Sequence, residues 1–265
     1  MGVVAGVQAR MGSTRLPGKT LADLAGAPLI VRVVERARAA RRVDEVVVLT
    51  SVDPRDDELA AVLAERGIPC RRGPVDDVLA RYLALADELA PDYVVRITGD
   101  CPLIEPAFLD LQLAALAAFD GDFTWVARGG VEGTLGGQRA MSARALLAAR
   151  DTSDPRDREH VASFFFQTHR DRFRWVEIDV PPGWRRDGVR LHVDEPADLA
   201  LLRAIYTRFA PDHGSLVPLA EALAWLDAHP EVAGLNRAVA ESDANRALRL
   251  LARAPEVPLV GRWPR

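Results

Sequence analysis

The sequence predicts an α/β protein: a mostly parallel sheet covered by helices on both faces. Three observations point there. Short β-branched runs alternate with helical patterns through the first half of the chain. The runs at 45–50 (EVVVLT) and 93–98 (YVVRIT) are rich in β-branched residues along their whole length, as expected of strands covered on both sides. The length of 265 residues, with 49% hydrophobic and 27% charged side chains, suits one large globular unit and not a disordered, collagen-like or coiled-coil chain.

The elements follow in order. A strand at 3–7 leads to a helix at 28–40, the strand at 45–50, and an amphipathic helix at 56–66 closed by Gly67. A short strand at 68–71, a helix at 75–89 and the strand at 93–98 come next. Pro106 opens another helix, and 123–127 reads as a strand. Glycines at 129, 130, 133, 136 and 137 mark a loop or a hairpin leaving the sheet. A helix over 154–169 is expected, with Asp154 as N-cap and Pro155 in its first position. The segments 174–180 and 189–193 read as strands and 196–209 as a helix. Residues 216–253 read as helical with a break near His229-Pro230, and the tail 254–265 as extended. No repeat or long linker divides the chain, so 1–265 is expected to be one domain with a helical C-terminal extension over about 211–253.

Composition excludes several classes. With 34 Lys plus Arg against 38 Asp plus Glu, the net charge is −4. A chain living on a nucleic-acid backbone would normally be basic. Cys70 and Cys101 are too few for a disulfide framework and form no CxxC zinc pattern; they read as small, partly buried core residues. No apolar run approaches the ~20 residues of a membrane span. The apolar start, residues 1–7, lacks a basic leader and a cleavage site and reads as a strand. A cytoplasmic protein is expected.

Three loops carry chemistry. The first strand runs into QARMGSTRLPGKT, residues 8–20. Glycine, hydroxyl and cation thus meet at the C-terminal end of a leading strand, where open α/β sheets bind ligands. Backbone N–H groups there can cradle phosphate oxygens, while Arg10, Arg15 and Lys19 supply charge. The loop is not a Walker A motif, because five residues separate Gly12 from Gly18 where that motif has four, and GxGxxG is absent. The second loop, RITGDCPLI (96–104), sets Asp100 directly after a strand. The third, RLHVDEPAD (190–198), does the same with Asp194, whose alternative role is N-cap of the following helix. Two strand-end aspartates can hold one Mg²⁺ whose octahedron is completed by phosphate oxygens and water.

QARMGSTRLPGKTL resembles the nucleotide-binding signature of the spore-coat polysaccharide cytidylyltransferases and their relatives, the CMP-Kdo and CMP-sialic acid synthetases. Four further segments agree in order: Cys70-Arg-Arg-Gly73 with Asp77-Val-Leu-Ala-Arg81, then RITGDCPLI, then Glu159-His-Val161, then RLHVDEPADLALL. The resemblance covers about residues 3–210. It implies a Rossmann-like sheet of the nucleotide-diphospho-sugar transferase type, with a small protruding dimerisation lobe and a helical C-terminus. The implied reaction is CTP plus acceptor giving CMP-acceptor plus pyrophosphate. On the matching positions Gln8, Arg10, Ser13, Arg15 and Lys19 would surround the nucleotide, with Arg72, Asp77 and Arg81 in a second nucleotide-side block. Asp100 and Asp194 would bind Mg²⁺.

Chemically, Lys19 and Arg15 would offset charge on the departing pyrophosphate, and both are expected to project into the cleft without supporting the apo fold. His160 and His192 are the candidate bases, although His192 sits in an expected strand. Three other readings are weighed: a glycosyltransferase of the same fold, for which Asp120-Gly-Asp122 is the one Asp-x-Asp spacing, a nucleotidyltransferase using another triphosphate, and a non-enzymatic nucleotide-binding regulator, against which Lys19 and the two aspartates argue. Spore-coat relatives carry a carboxylate near the region matching 135–142, where this chain has Arg139 and no acid. Arg139, with Arg128 and Arg144, is therefore expected to face an anionic acceptor, a sugar acid or a phosphorylated compound. Phe164-Phe-Phe166 are too many adjacent aromatics for one core on this reading, and a homodimer is expected to cover some of them.

Overall fold

A computed structural model describes residues 1–126, 131–240 and 258–263. Eight strands form one sheet in the order β3-β2-β1-β4-β6-β5-β7-β8. The strands are β1 (Val3–Gln8), β2 (Glu45–Ser51), β3 (Cys70–Gly73), β4 (Tyr93–Thr98), β5 (Phe123–Val126), β6 (Gln138–Ser142), β7 (Trp175–Ile178) and β8 (Leu259–Trp263). All pairings are parallel except those of β6, which runs antiparallel to β4 and β5.

The first four strands follow the βα alternation legible in the sequence. Between them lie α1 (Leu29–Arg38), α2 (Asp57–Glu65) and α3 (Val78–Leu89), followed by α4 (Pro106–Phe119). Asp77 caps α3 by accepting from Ala80 N at 2.8 Å, and Glu105 caps α4 ahead of Pro106. Gly67 ends the turn after α2 at φ 63. Further along come α5 (Glu132–Leu135), α6 (Ala143–Ala148), α7 (Pro155–His160), α8 (Pro196–His213), α9 (Leu219–Ala228) and α10 (Pro230–Ala233).

The two sheet faces bury separate cores. Tyr93, Val95 and Ile97 of β4 face the core shared with α1, α4 and α8. Val94 faces a second core with Leu79, Tyr82 and Leu83 of α3 and with Phe165 and Trp175. The alternation along one strand thus sorts β4 between two cores. Arg36, 1% exposed, ties the C-terminal helices in, donating to Ser215 O and Val217 O.

Several expectations are corrected. The helix expected over 154–169 ends at His160: Val161 takes φ 37, and a π turn follows at Phe164–Thr168. That wider turn places Phe164, Phe165 and Phe166 at 4%, 0% and 7% exposure in this chain's own core. Phe123 alone contacts Phe165, Phe166, Phe173 and Trp175. The aromatics therefore need no second subunit to cover them. Residues 189–193 are not a strand. Leu191 N donates to Gly133 O and Val193 N to Asp100 O, so the segment straps across the sheet edge between two partners. The expected helical region 216–253 is two helices within its described part, with the break at His229-Pro230 where expected; 241–253 lie outside the described residues. Strand β6 and the pairing of β8 were not legible as such.

Candidate functional site

The C-terminal edge of the parallel strands gathers the three loops. Gly99 N donates to Gln8 O, joining the ends of β4 and β1. A Cβ on Gly99 would lie 2.8 Å from that same carbonyl, so only glycine lets the chain pass there. The loop after β1 is pinned at Met11 N by Asp56 Oδ1 (2.7 Å) and at Arg10 O by Thr20 Oγ1 (2.9 Å). Gly18, at φ 72, turns the chain into a short 3₁₀ turn beginning at Lys19.

Lys19 is the centre of the arrangement. Its Nζ donates to Asp100 Oδ2 at 2.9 Å, to Asp194 Oδ1 at 2.9 Å and to Val193 O at 2.6 Å. Burial alone would lower the lysine pKa, but the two carboxylates outweigh it and raise it. Burial would likewise raise the Asp100 carboxyl; the Lys19 charge and hydrogen bond outweigh that and hold it at about 2. Lys19 and Asp100 are therefore both ionised at neutral pH. Lys19 is 12% exposed and paired, which corrects the expectation that it projects freely into the cleft.

Asp194 receives two further cations, Arg15 and Arg190, each 3.0 Å from Oδ2. It is not the helix cap: Glu195 caps α8 in a reciprocal box with Asp198. Asp198 also accepts from the backbone N–H of Asp194, at 3.0 Å, and from Arg190. His192 Nε2 lies 3.6 Å from Asp194. Burial, then the Arg190 charge, lower the His192 pKa and favour its neutral form. His160 is exposed at the end of α7, next to Glu159, which lies 3.9 Å from Arg10.

Two carboxylates from separate elements thus converge on one cationic centre. Oxygen donors that share a point charge in this way suit a hard divalent ion, and two of them leave room for phosphate oxygens and water. No group of three or more His, Cys, Asp or Glu that could hold a metal occurs among the described residues. The pair fits such an ion once the Lys19 ammonium turns away from it.

The second block sits beside the first loop. Arg72 donates to Ser51 O and Asp53 O and pairs with Asp57 at 2.7 Å. Asp77, besides capping α3, pairs with Arg158 at 3.2 Å. Arg81 is 5% exposed, donates to Leu49 O, and has its pKa lowered by burial. Its stem lies over Gly73, where a Cβ would meet Arg81 Cγ at 2.6 Å. A recess between the blocks is lined by Arg10, Gly12, Ser51, Asp53, Arg55, Asp56 and Val75. Asp53, Arg55 and Asp56 were missed from sequence. The signal was there: DPRDD follows a strand at the ligand edge, as Asp100 does.

Arg139 and Arg144, two of the three expected acceptor arginines, do not gather. Arg139, on β6, lies opposite Arg96 of β4 and stacks on Phe166 with 4.4 Å to the ring centroid. Arg144 follows Ser142, which pairs with Tyr93 at the other end of β4. There it holds Asp120 at 2.6 Å and Asp122 at 2.7 Å. Arg128 lies outside the described residues. Asp120-Gly-Asp122 is therefore a structural ion-pair site at the edge away from the loops, and the Asp-x-Asp reading falls.

The cytidylyltransferase family profile matches residues 4–170. The chain is 29% identical over 235 residues to the spore coat polysaccharide biosynthesis protein SpsF of Bacillus subtilis, across 86% of this chain and 95% of that one. A 3-deoxy-manno-octulosonate cytidylyltransferase of Anaeromyxobacter dehalogenans is 46% identical over 114 residues, 42% of this chain and 46% of its own length. Among solved structures, a cytidylyltransferase from Leptospira borgpetersenii superposes with a TM-score of 0.77 at 24% identity, covering 91% of this chain and 98% of that one. A CMP:2-keto-3-deoxy-manno-octonic acid synthetase complexed with CTP superposes at 0.61 and 21% identity, covering 78% and 99%. At such identities these two show a shared fold. Fold and relatives together define a nucleotidyltransferase. The chain belongs to the cytidylyltransferase family.

Proposed function

We propose that the chain transfers CMP from CTP to an oxygen of an anionic small molecule, such as a sugar acid, releasing pyrophosphate. The acceptor oxygen attacks the α-phosphorus, the bond to the β-phosphate oxygen breaks, and pyrophosphate leaves with the electron pair. Such transfers need positioning and charge neutralisation more than covalent help. The observation that carries this reading is the single ammonium of Lys19 held between Asp100 and Asp194 at the ligand edge.

Incoming triphosphate oxygens compete for Lys19 and for Arg15, which lies on the rim at 42% side-chain exposure. Turning Lys19 to the phosphates frees both carboxylates for Mg²⁺, which would supply Lewis-acid neutralisation of the phosphoryl oxygens. Gln8, Arg10 and Ser13 belong to the same loop and contact the nucleotide in this reading. Arg72, Asp77 and Arg81 shape its second wall. His192, held beside Asp194, is the nearest candidate to take the acceptor proton.

We further propose that the enzyme acts in the cytoplasm, as a homodimer of single catalytic units. Among the described residues no helix is long and apolar enough to cross a membrane. The deciding experiment is pyrophosphate release with each of the four ribonucleoside triphosphates against carboxylated, phosphorylated and neutral sugars, with and without Mg²⁺. CTP-dependent release with an anionic acceptor supports the reading; release with another triphosphate alone sinks it. Light scattering at micromolar concentration tests the dimer.

A further inference from the structure

Arg96 stands in the middle of a central strand. Among the described residues it makes no hydrogen bond or ion pair, and its Nε is buried without an acceptor. It belongs to the α3 face of β4, between Val94 and Thr98. Directly opposite, on the antiparallel neighbour, stands Arg139. Like charges facing each other across two strands destabilise a sheet, and a half-buried guanidinium without an acceptor adds a desolvation cost. Hydrophobic Val or Ile at 96 would satisfy the fold better. A buried guanidinium Nε without an acceptor among the described residues breaks a local rule, and such breaks are expected at functional sites.

The same region holds two more buried polar atoms without a partner among the described residues. Gln8, on the same face of the adjacent β1, has its Oε1 buried without a partner. Arg81, on the helix above, is 5% exposed and has its Nε buried without a partner as well. Phe166 fixes the Arg139 plane by stacking. Gly6, opposite Arg96 on β1, carries no side chain to fill the space, and a Cβ there would meet Tyr82 Cε1 at 2.5 Å.

We propose that Arg96, facing Arg139, seats the anionic group of the acceptor. The seat rests on the acceptor-anion reading above. A guanidinium fork recognises carboxylate and phosphate alike. Arg96 is then a specificity-determining residue, its buried Nε an unused donor that such an anion would satisfy.

Arginine Nε–Hε NMR tests the seat without turnover. The Arg96 cross-peak, identified by its loss in Arg96→Lys, should move when inorganic phosphate is added. An unmoved peak overturns the proposal. Kinetics give the second readout. Arg96→Lys and Arg96→Met should raise the KM for an anionic acceptor tenfold or more and leave the KM for CTP within twofold. The headgroup is read by assaying carboxylated and phosphorylated acceptors separately. Arg96→Met should also match or exceed the wild-type Tm, by about 2–4 °C for a chain this size; a structural arginine would lower it. An unchanged acceptor KM in either variant overturns the seat while leaving CTP-dependent transfer standing. If the wild type releases no pyrophosphate with any acceptor, the functional reading fails, and the phosphate titration still decides whether Arg96 holds an oxyanion.

Discussion

The two edges of the sheet both carry a pair of aspartates, and they use them differently. At the edge away from the loops, Asp120 and Asp122 are held by Arg144, Arg174 and the Ser142 hydroxyl, all supplied by the ends of neighbouring strands and the turn after β6. At the ligand edge, Asp100 and Asp194 share one lysine from a loop 81 and 175 positions away in sequence. The first arrangement has rigid arginine forks with no reason to leave. The second joins its two carboxylates through one lysine ammonium, with Arg15 and Arg190 beside Asp194 alone, and phosphate oxygens can redirect that point charge. Similar residue counts thus give a fastening at one edge and an exchangeable contact at the other.

Breaking the ligand edge should have the largest effect. Asp100→Asn or Asp194→Asn should cost turnover by a factor on the order of 10² to 10³, about 3–4 kcal/mol of transition-state stabilisation. Retention of a tenth of wild-type kcat/KM in either variant would remove the shared-cation site from the mechanism. Next comes Lys19→Ala, measured in the protein without ligand. It strands two carboxylates, 28% and 13% exposed, although Arg15 and Arg190 stay beside Asp194. A loss of about 2 kcal/mol, or a Tm drop of about 4–8 °C, is expected. An unchanged melting curve would mean the lysine is already free.

Acid titration sharpens the same contrast. The Asp100 carboxyl is held at about 2 in the fold, against about 3.9 in an unfolded chain. A carboxylate depressed in this way adds stability above its unfolded pKa and loses it as pH falls through the folded one. With the side chain 28% exposed, roughly 1–2 kcal/mol should vanish between about pH 4 and pH 2. Denaturant midpoints of wild type and Asp100→Asn should converge across that window. Parallel curves would contradict the pairing. The smallest effect belongs to Arg144→Ala at the other edge: turnover within twofold, and a stability loss of about 1 kcal/mol or less, because the arginine is 49% exposed. A tenfold loss of activity there would mean the two edges are coupled.

What could be read in advance divides along physical lines. Strands β1, β2 and β4 were legible because β-branched runs bounded by turns carry their own signal. That Lys19, Asp100 and Asp194 lie at one edge was legible because each follows a run that reads as a strand whose end opens on the same side of the sheet. Strand β6 was not, since Gln138-Arg-Ala-Met-Ser offers only Ala140 and Met141 to the two cores and follows a glycine-rich stretch. The 189–193 segment misled in the opposite direction: it alternates like a strand, yet Gly133 and Asp100 each take one of its N–H groups. The π turn at 164–168 is a tertiary solution to three consecutive rings, which no period of 3.6 describes. Asp56 was overlooked because a carboxylate beside a proline turn reads as a cap, whereas its oxygens reach back to Met11 and Ser51.

The strap also fixes an order of events during synthesis. A ribosome makes the chain from its N-terminus, so the glycine-rich loop, β1 to β4 and Asp100 emerge as a contiguous first stretch. Asp194 emerges some ninety residues later, and it reaches the site only when Val193 N finds Asp100 O. A nascent chain can therefore display its glycine-rich loop well before it owns the second carboxylate. The Lys19 centre is complete only when the strap closes over that edge.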